Sequence, residues 1–266
     1  MIKKPSISIF GLGRVGGVLQ KSLSDSDYQI KSVFTRDTFP DSADEFGDLI
    51  FLAVQDSEIE SLVNKLTTSF PDYSGKFIIH CSGTLDASVL EPFRSKGAKI
   101  ASFHPLKAIT LNDDSLENVW FDMDGDDDAL KILEKLAKDF KANSFKVKPE
   151  AKPLLHAAAV VSANYVVTLM KLATDLAKAG DIDPEVALKA LLPLTESSVS
   201  NIKEKGFQDA LTGPIARGDE ETIKAHVKIL KKHPDLLSIY KKLGYLTVEL
   251  TRLDTVSKEK LKKLLE

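Results

Sequence analysis

Residues 11–16 of the chain are Gly11-Leu12-Gly13-Arg14-Val15-Gly16. This glycine turn follows an alternating run typical of a strand, Ser6 to Phe10, and precedes a run with helical spacing, Val15 to Leu23. In that context the pattern G-x-G-x-x-G predicts a dinucleotide-binding turn: Gly11 permits a tight bend, Gly13 lets the backbone approach a pyrophosphate, and Gly16 lets the helix pack closely on its strand. The helix start then offers free N–H groups and its positive dipole end to the phosphates. A turn without a ligand and a methyltransferase turn are the alternatives.

The end of the predicted second strand bears on which nucleotide such a turn holds. That strand runs from Gln29 to Phe34 and is followed by Thr35-Arg36-Asp37. An acid about twenty residues past the glycines binds the ribose 2′-hydroxyl of NAD, whereas a basic residue there accommodates a 2′-phosphate. Arg36, with the Thr35 hydroxyl beside it, therefore favours NADPH over NADH and counts against S-adenosylmethionine. If Arg36 is a solvated loop charge and Asp37 takes the ribose, the preference reverts to NAD.

Three more apolar runs of strand length follow, separated by segments of helical character. They are Asp48–Val54, Lys76–His80 and Lys99–Phe103. Alternating strands and helices predict a parallel sheet with right-handed crossovers, which is the α/β Rossmann fold. Ligands in such sheets bind beyond the carboxyl ends of the strands. We therefore expect the nicotinamide side of the cofactor to lie against the residues that end the third and fourth strands, namely Ala53, Val54, Gln55 and Ser82.

Two further strand candidates, Val119–Met123 and Ser144–Lys148, flank a helix predicted from Asp128 to Phe140. The carboxylates of Asp122–Asp128 lack the glutamate that an EF-hand loop requires. They are interpreted as an acidic turn and helix start, which the helix dipole favours, and no metal site is predicted.

The character of the sequence changes at Pro149, because every later segment has helical periodicity. The first of these helices is predicted from about Lys152 to Ala179, where Gly180 closes it. The sequence therefore predicts a Rossmann domain over residues 1–148 and an all-helical domain over residues 149–266.

Composition indicates an ordinary soluble globular protein of 266 residues. The net charge of −3, from 36 basic and 39 acidic residues, provides no basic field for nucleic acid or an anionic membrane. Cys81, the one cysteine, excludes an intrachain disulfide and is interpreted as a small buried residue rather than a nucleophile. The start of the chain lacks the apolar region of a signal peptide. We expect a cytoplasmic protein in which the apolar run Leu154–Met170 is a buried helix, too short for a bilayer span.

Two histidines are candidate proton donors. His156 and Asn164 lie about two turns apart on one face of the first long helix. Histidine exchanges protons near neutrality, and Asn164 can hold a polar atom of a substrate or cofactor; a structural histidine packed among alanines is the alternative. His104 follows a predicted strand, where the ligand crevice is expected. The sequence favours a role in the site and a structural role equally. His80 is interpreted as a buried residue at a strand end.

Six short motifs resemble those of bacterial Rossmann-like proteins that carry the helical DUF2520 domain. They are residues 11–16, Leu52–Asp56, His80–Gly83, Ser102–Leu106, His156–Tyr165 and Leu211–Asp219. The resemblance covers nearly the whole chain. It implies an NADP-dependent oxidoreductase distantly similar to ketopantoate reductase, pyrroline-5-carboxylate reductase and 6-phosphogluconate dehydrogenase. It also implies a helical C-terminal domain that pairs two subunits and closes over the nicotinamide.

Carried over to single residues, the resemblance implies a catalytic role for His156. Ketopantoate reductase has a catalytic lysine on the matching helix with an asparagine eight residues on, and His156 and Asn164 match that spacing with histidine in place of lysine. Thr212 and Arg217 can bind an anionic substrate, although loop geometry explains their glycine neighbours equally well. We therefore predict a homodimeric NADPH-dependent reductase of a small anionic carbonyl or imine compound, with His104 as a further catalytic candidate. A non-catalytic NADP(H) sensor or scaffold is the alternative.

Overall fold

Seven strands form one sheet in the computed structural model, which describes residues 4–266. They are β1 (Ile7–Phe10), β2 (Ile30–Phe34), β3 (Leu49–Leu52), β4 (Phe77–His80), β5 (Lys99–Pro105), β6 (Trp120–Gly125) and β7 (Asn143–Lys146). Their order in the sheet is β2-β1-β3-β4-β5-β6-β7, and every neighbouring pair is parallel except β5 with β6. All residues of β1 and β3 are buried, as is typical of parallel strands covered by helices on both faces.

Helices cover the two faces of this sheet. They are α1 (Arg14–Asp25), α2 (Asp56–Ser69), α3 (Glu91–Arg94) and α4 (Asp127–Asp139), with 3₁₀ helices at Ala43–Glu45, Ala87–Leu90 and Pro149–Ala151. One apolar cluster packs α1 and α4 against one face, and a second packs α2 and α3 against the other. Because side chains alternate along a strand, β1 contributes Ile9 to the first cluster and Phe10 to the second.

The predicted α/β Rossmann fold is confirmed, and the strand order reverses between β1 and β3, where such sheets bind ligands. The direction of β6 differs from the parallel sheet that the sequence predicts. Between β5 and β6 the described chain has no helix, and antiparallel neighbours need no crossover helix. The antiparallel register sets His104 opposite Asp122, and Ser102 opposite Asp124.

Beyond β7, each described element of regular structure is helical. The helices are α5 (Lys152–Ala179), α6 (Pro184–Ala210), α7 (Pro214–Arg217), α8 (Glu220–Leu230), α9 (Pro234–Glu249) and α10 (Thr255–Leu265). The bounds predicted for α5 are confirmed. The chain divides into two compact units, one up to Ala163 and one from Asn164 to Glu266. This division falls within α5, whereas the sequence predicts a domain boundary between residues 148 and 149, where the strands end.

The expectation that Leu154–Met170 is a buried helix is wrong for the single chain. Leu154 is 76% exposed and Val167 is 71% exposed. The helical stretch Pro149–Ala179 is also long and apolar enough to cross a membrane by length and composition alone. An apolar helix of a soluble protein passes the same test, and the finding identifies an exposed apolar surface on α5.

Candidate functional site

The glycine turn is shaped by backbone contacts with the end of β3. Gly11 has φ +96°, and a Cβ there would lie 2.7 Å from the Ala53 carbonyl oxygen. A Cβ on Gly16 would lie 1.9 Å from the Gly11 carbonyl oxygen. Gly13 differs, because a Cβ there would meet no atom within 4 Å. Gly11 and Gly16 are therefore required by packing, and Gly13 leaves open space in front of the first turn of α1, where backbone N–H groups are free.

Thr35, Arg36 and Asp37 are exposed just after β2, at the same edge of the sheet as the glycine turn. The Thr35 N–H donates to the Thr38 hydroxyl at 2.8 Å, which holds the backbone in a turn. Arg36 makes no ion pair with any residue of the described range 4–266. Its guanidinium is therefore available for a phosphate, and the Asp37 alternative stays open.

Ser82 lies directly after β4, and its hydroxyl is engaged within the protein. It donates to the Asp56 carboxylate at 2.7 Å and accepts from the Leu85 N–H at 3.1 Å. Asp56 also accepts from the Thr84 hydroxyl at 2.8 Å. Asp56, the first residue of α2, thereby ties the ends of β3 and β4 together, and Gln55 occupies the cap position of the helix.

His104 contacts a buried ion cluster that the sequence does not predict. We define this ion cluster by its charged members Lys152, Asp122 and Asp124. The Lys152 ammonium donates to Asp122 Oδ1 at 2.7 Å and lies 3.3 Å from Asp124 Oδ2. His104 Nδ1 lies 2.7 Å from Asp122 Oδ2. The side chains of Lys152 and Asp122 are 0% and 1% exposed, against 16% for His104.

The ion cluster fixes which nitrogen of His104 can exchange a proton. Burial raises the pKa of Asp122, but the hydrogen bonds from His104 and Lys152 outweigh it, so that the pKa lies below its ordinary value. Asp122 is therefore ionised near neutrality, and an ionised carboxylate only accepts hydrogen bonds. It follows that His104 Nδ1 carries a hydrogen and donates it to Asp122, which leaves Nε2 for proton exchange.

His104 and His156 meet over Gly83. A Cβ on Gly83 would lie 2.7 Å from His104 Nε2 and 2.7 Å from His156 Nδ1, and the two ring centroids are 6.1 Å apart. His156 Nδ1 is buried without a hydrogen-bond partner among the described residues. A buried nitrogen without a partner is costly unless a ligand or water satisfies it. The space over Gly83 is therefore bordered by two imidazole nitrogens, each available to a small polar atom.

His80 and Cys81 are buried beside this space, in agreement with their interpretation as structural residues. The His80 ring donates from Nε2 to the Asp86 carbonyl at 3.0 Å and accepts at Nδ1 from the Ser82 N–H at 3.2 Å. Burial lowers the pKa of His80 to about 4, so it is neutral and satisfied near pH 7. Burial raises the pKa of Cys81 to about 12, which leaves a thiol rather than a reactive thiolate.

The other predicted substrate residues belong to the second unit. Asn164 lies on α5 two turns after His156, as its spacing predicts. Thr212 precedes Gly213, which caps α7 with φ +93°, and Arg217 ends that helix before Gly218 in a left-handed conformation. The glycines thus have a conformational reason of their own. A substrate role for Asn164, Thr212 and Arg217 stays a prediction.

Two family models match the chain. The Rossmann-like domain model matches residues 35–105, and the model described as a domain of unknown function, DUF2520, matches residues 119–247. Together the two models cover most of the chain, although neither alone reaches half of it. The resemblance drawn from the sequence motifs is thereby confirmed.

Solved structures share this fold at low sequence identity. A provisionally described NADP oxidoreductase, BF3122 from Bacteroides fragilis, is 19% identical with a TM-score of 0.74, over 94% of this chain and 100% of that one. Protein TM1727 from Thermotoga maritima is 22% identical with a TM-score of 0.71, over 92% and 97%. Pyrroline carboxylate reductase from Plasmodium falciparum, solved with NADP bound, is 15% identical with a TM-score of 0.57, over 100% of both chains. No curated protein matches the chain by sequence.

Proposed function

We propose that the chain is an NADPH-dependent reductase of a small anionic carbonyl or imine compound. The observation that carries the proposal is the meeting of two imidazole nitrogens, His104 Nε2 and His156 Nδ1, over Gly83 at the ligand edge of the sheet. The fold is shared with a pyrroline carboxylate reductase solved with NADP, which agrees with the proposal.

The glycine turn fits a dinucleotide. Residues 11–16 would cradle the pyrophosphate with backbone N–H groups, since the space over Gly13 is open. The Thr35 hydroxyl and Arg36 would hold the 2′-phosphate of the adenosine. Ala53, Val54, Gln55 and Ser82 would border the nicotinamide, with Ser82 contributing its position, since its hydroxyl is already bonded.

NADPH, when bound, supplies the hydride, and the protein has to supply the proton that completes the reduction. His104 suits that role when its ring carries hydrogens on both nitrogens: Asp122 accepts the Nδ1–H, and Nε2, facing the space over Gly83, gives its hydrogen to the substrate and leaves the neutral Nδ1–H form. His156 Nδ1, on the other side of that space, would hold the substrate oxygen or nitrogen. We also propose that Asn164, Thr212 and Arg217, in the second unit, bind polar and anionic groups of a substrate.

Calorimetric titration with NADPH and NADH tests the cofactor assignment. We expect NADPH to bind more tightly, and Arg36→Ala to remove the difference, because in the proposed complex the guanidinium would bind the 2′-phosphate, which NADH lacks. Asp37→Ala is the matched control one residue away, and it should leave the NADPH preference intact. Equal affinities of the wild type for both nucleotides, or a preference for NADH that Asp37→Ala removes, would refute the assignment to NADPH.

A screen of small carbonyl and imino acids for NADPH oxidation tests the reaction. The variants His104→Asn and His156→Asn should keep NADPH affinity and lower turnover by about 10²-fold or more, as expected for loss of a general acid. Tight NADPH binding without turnover of any compound would instead support a non-catalytic NADP(H) sensor or scaffold.

We further propose that the exposed apolar side chains of the second unit pair two copies of the chain. Val167 on α5 is 71% exposed, and Leu194 and Phe207 on α6 are 64% and 67% exposed. Apolar surface of this extent marks an interaction site. Light scattering should give the mass of a dimer without detergent, as also expected for the proposed cytoplasmic location. Val167→Glu should give a monomer, and Lys135→Glu, at an exposed position of α4, should stay dimeric; a monomeric wild type would refute the pairing.

A further inference from the structure

Lys152 is a fully buried lysine whose three N–H donors all meet oxygen atoms. Its ammonium donates to the Ser102 hydroxyl at 2.8 Å and to Asp122 Oδ1 at 2.7 Å, and lies 3.3 Å from Asp124 Oδ2. Lysine has three donors and no acceptor, so nothing on this side chain is free for a substrate. Its function has to lie in what it holds in place.

The ion cluster joins the strands that carry His104 to the helix that carries His156. Asp122, on β6, binds both Lys152 and His104. Asp124, two residues along the same strand, accepts from the Ser102 hydroxyl and from the Ala87 N–H, the latter at 2.7 Å. Asp124 therefore braces the cluster against the segment that follows Gly83, and within residues 4–266 its carboxylate makes no hydrogen bond with His104.

Both imidazoles that border the space over Gly83 depend on Lys152. His104 depends on it through Asp122, since one carboxylate oxygen of Asp122 binds Lys152 and the other binds His104. His156 follows Lys152 by four residues, one turn along α5, so the buried ammonium also anchors the helix face from which His156 projects. One buried side chain thus sets the position of two nitrogens that approach a common point.

We propose that Lys152 and Asp122 are positioning residues that hold His104 as the Nδ1–H tautomer, with Nε2 directed at the space it shares with His156 Nδ1. This inference rests on the proposed function only where it gives His104 a part in catalysis. The tautomer itself follows from the cluster: Lys152 binds one carboxylate oxygen, and the other oxygen accepts from His104. Without Asp122 as an obligatory acceptor, His104 could present either nitrogen to the space.

Asp122→Asn is the variant that tests this arrangement. The Lys152 ammonium only donates, so it will retain the amide oxygen of the substituted side chain, and the amide NH₂ will then face His104. His104 Nδ1 must accept from that NH₂, and the hydrogen moves to Nε2. The substitution changes almost no volume, so it reverses the tautomer while keeping the packing of the strand pair.

Asp124→Asn is the matched control. It is the same chemical change, in the same ion cluster and on the same strand, beside the same lysine, but at a position that binds Ser102 and Ala87 instead of His104. We expect His104 to keep its Nδ1–H tautomer in this variant. His80 is an internal reference for the tautomer in every sample, because the Asp86 carbonyl accepts from its Nε2 and the Ser82 N–H donates to its Nδ1.

Nitrogen-15 NMR of the imidazole rings, recorded over a pH titration, reports the tautomer without any substrate or nucleotide. In the neutral form of the wild type, His104 should carry its hydrogen on Nδ1; it should carry it on Nε2 in Asp122→Asn and on Nδ1 again in Asp124→Asn. A neutral wild-type His104 with the hydrogen on Nε2 would overturn the proposal even if no variant folds. If His104 keeps its hydrogen on Nδ1 in Asp122→Asn, the role of Lys152 and Asp122 in positioning His104 is overturned.

Turnover provides a second readout once a substrate is found. Asp122→Asn should lower kcat by about 10²-fold or more with little change in KM, because the amide NH₂ then opposes a hydrogen on Nδ1 and the ring loses the doubly protonated form from which Nε2 gives its proton. If the NMR result holds and no reductase activity exists, the positioning of His104 stands while the proposed function fails.

Discussion

Gly16 and Gly17 are adjacent in α1, yet they have opposite surroundings, and this makes them a sharp test of the glycine turn. A Cβ on Gly16 would lie 1.9 Å from the Gly11 carbonyl oxygen and 3.3 Å from the Ala53 Cβ. A Cβ on Gly17 would meet nothing within 4 Å. The variants Gly16→Ala and Gly17→Ala add the same methyl group to the same helix, so helix propensity contributes equally to both.

The expected difference in stability follows from these distances. Real Cβ atoms essentially never approach another atom closer than 3.0 Å, so in Gly16→Ala the start of α1 has to shift by at least 1.1 Å from the Gly11 backbone. Overpacking of this kind costs about 1–3 kcal/mol, and more where backbone atoms oppose it. Replacing glycine by alanine in an unobstructed helix gains up to about 1 kcal/mol. Because that gain is common to both variants, their free energies of unfolding should differ by the overpacking cost, about 1–3 kcal/mol or more.

Urea denaturation followed by circular dichroism measures this difference, and NADPH titration adds a second measurement. Gly17→Ala should be as stable as the wild type or more so, and should keep its NADPH affinity. Gly16→Ala should be less stable and should bind NADPH at least about tenfold more weakly, since a shift of about 1 Å at the helix start misaligns the N–H groups that face the pyrophosphate. Equal stabilities for the two variants would refute the close packing of α1 on the glycine turn.

Three further predictions concern the space over Gly83 and the groups beside it. Gly83→Ala should fold and bind NADPH, because the atoms that its methyl group meets belong to the movable side chains of His104 and His156. Turnover should fall by about 10²-fold as the two rings are displaced. Unchanged turnover would contradict a site over Gly83. The unfolded chain protonates His80 near pH 6.5 whereas the folded chain does so near 4, so the free energy of unfolding should fall by about 3 kcal/mol as the pH decreases across that window. Urea denaturation of His80→Gln should show a smaller pH dependence than the wild type, and an equal one would contradict the shift. Cys81 should resist alkylation by iodoacetamide in the native protein at about pH 8 and react after unfolding, because burial raises its pKa to about 12; rapid native reaction would contradict its burial.

The sheet could be predicted from the sequence because its signals are local. An apolar run such as Asp48–Val54 predicts a buried strand wherever it pairs, and the glycine turn predicts its own backbone conformation. The direction of β6 has no such signal, because it depends on the length and path of the connection from β5. The exposure of α5 could not be predicted either. Its apolar periodicity indicates that a surface will be covered, but it does not say whether the same chain covers it.

The two histidines of the candidate site could be predicted from the sequence. The two aspartates beside them could not, because their contacts depend on strand register. His104 and His156 follow from their places at a strand end and on a long helix. Asp122 and Asp124 were interpreted as part of an acidic turn, since carboxylates are rarely buried. One signal was available: in residues 120–124 these two aspartates alternate with Phe121 and Met123, a spacing that places both carboxylates on one face of a strand.

The ion cluster is difficult to explain by stability alone. Removing a lysine and two carboxylates from water is costly, and well-packed apolar side chains of similar volume often stabilise a protein as much or more. A cluster that served only to fix β6 against α5 could thus be replaced by apolar residues. What apolar residues cannot supply is an ionised acceptor for His104 Nδ1, and Asp122 can remain ionised in the interior only because Lys152 accompanies it. The buried charges therefore have their reason in the chemistry of the neighbouring imidazole, which the Asp122→Asn and Asp124→Asn pair tests directly.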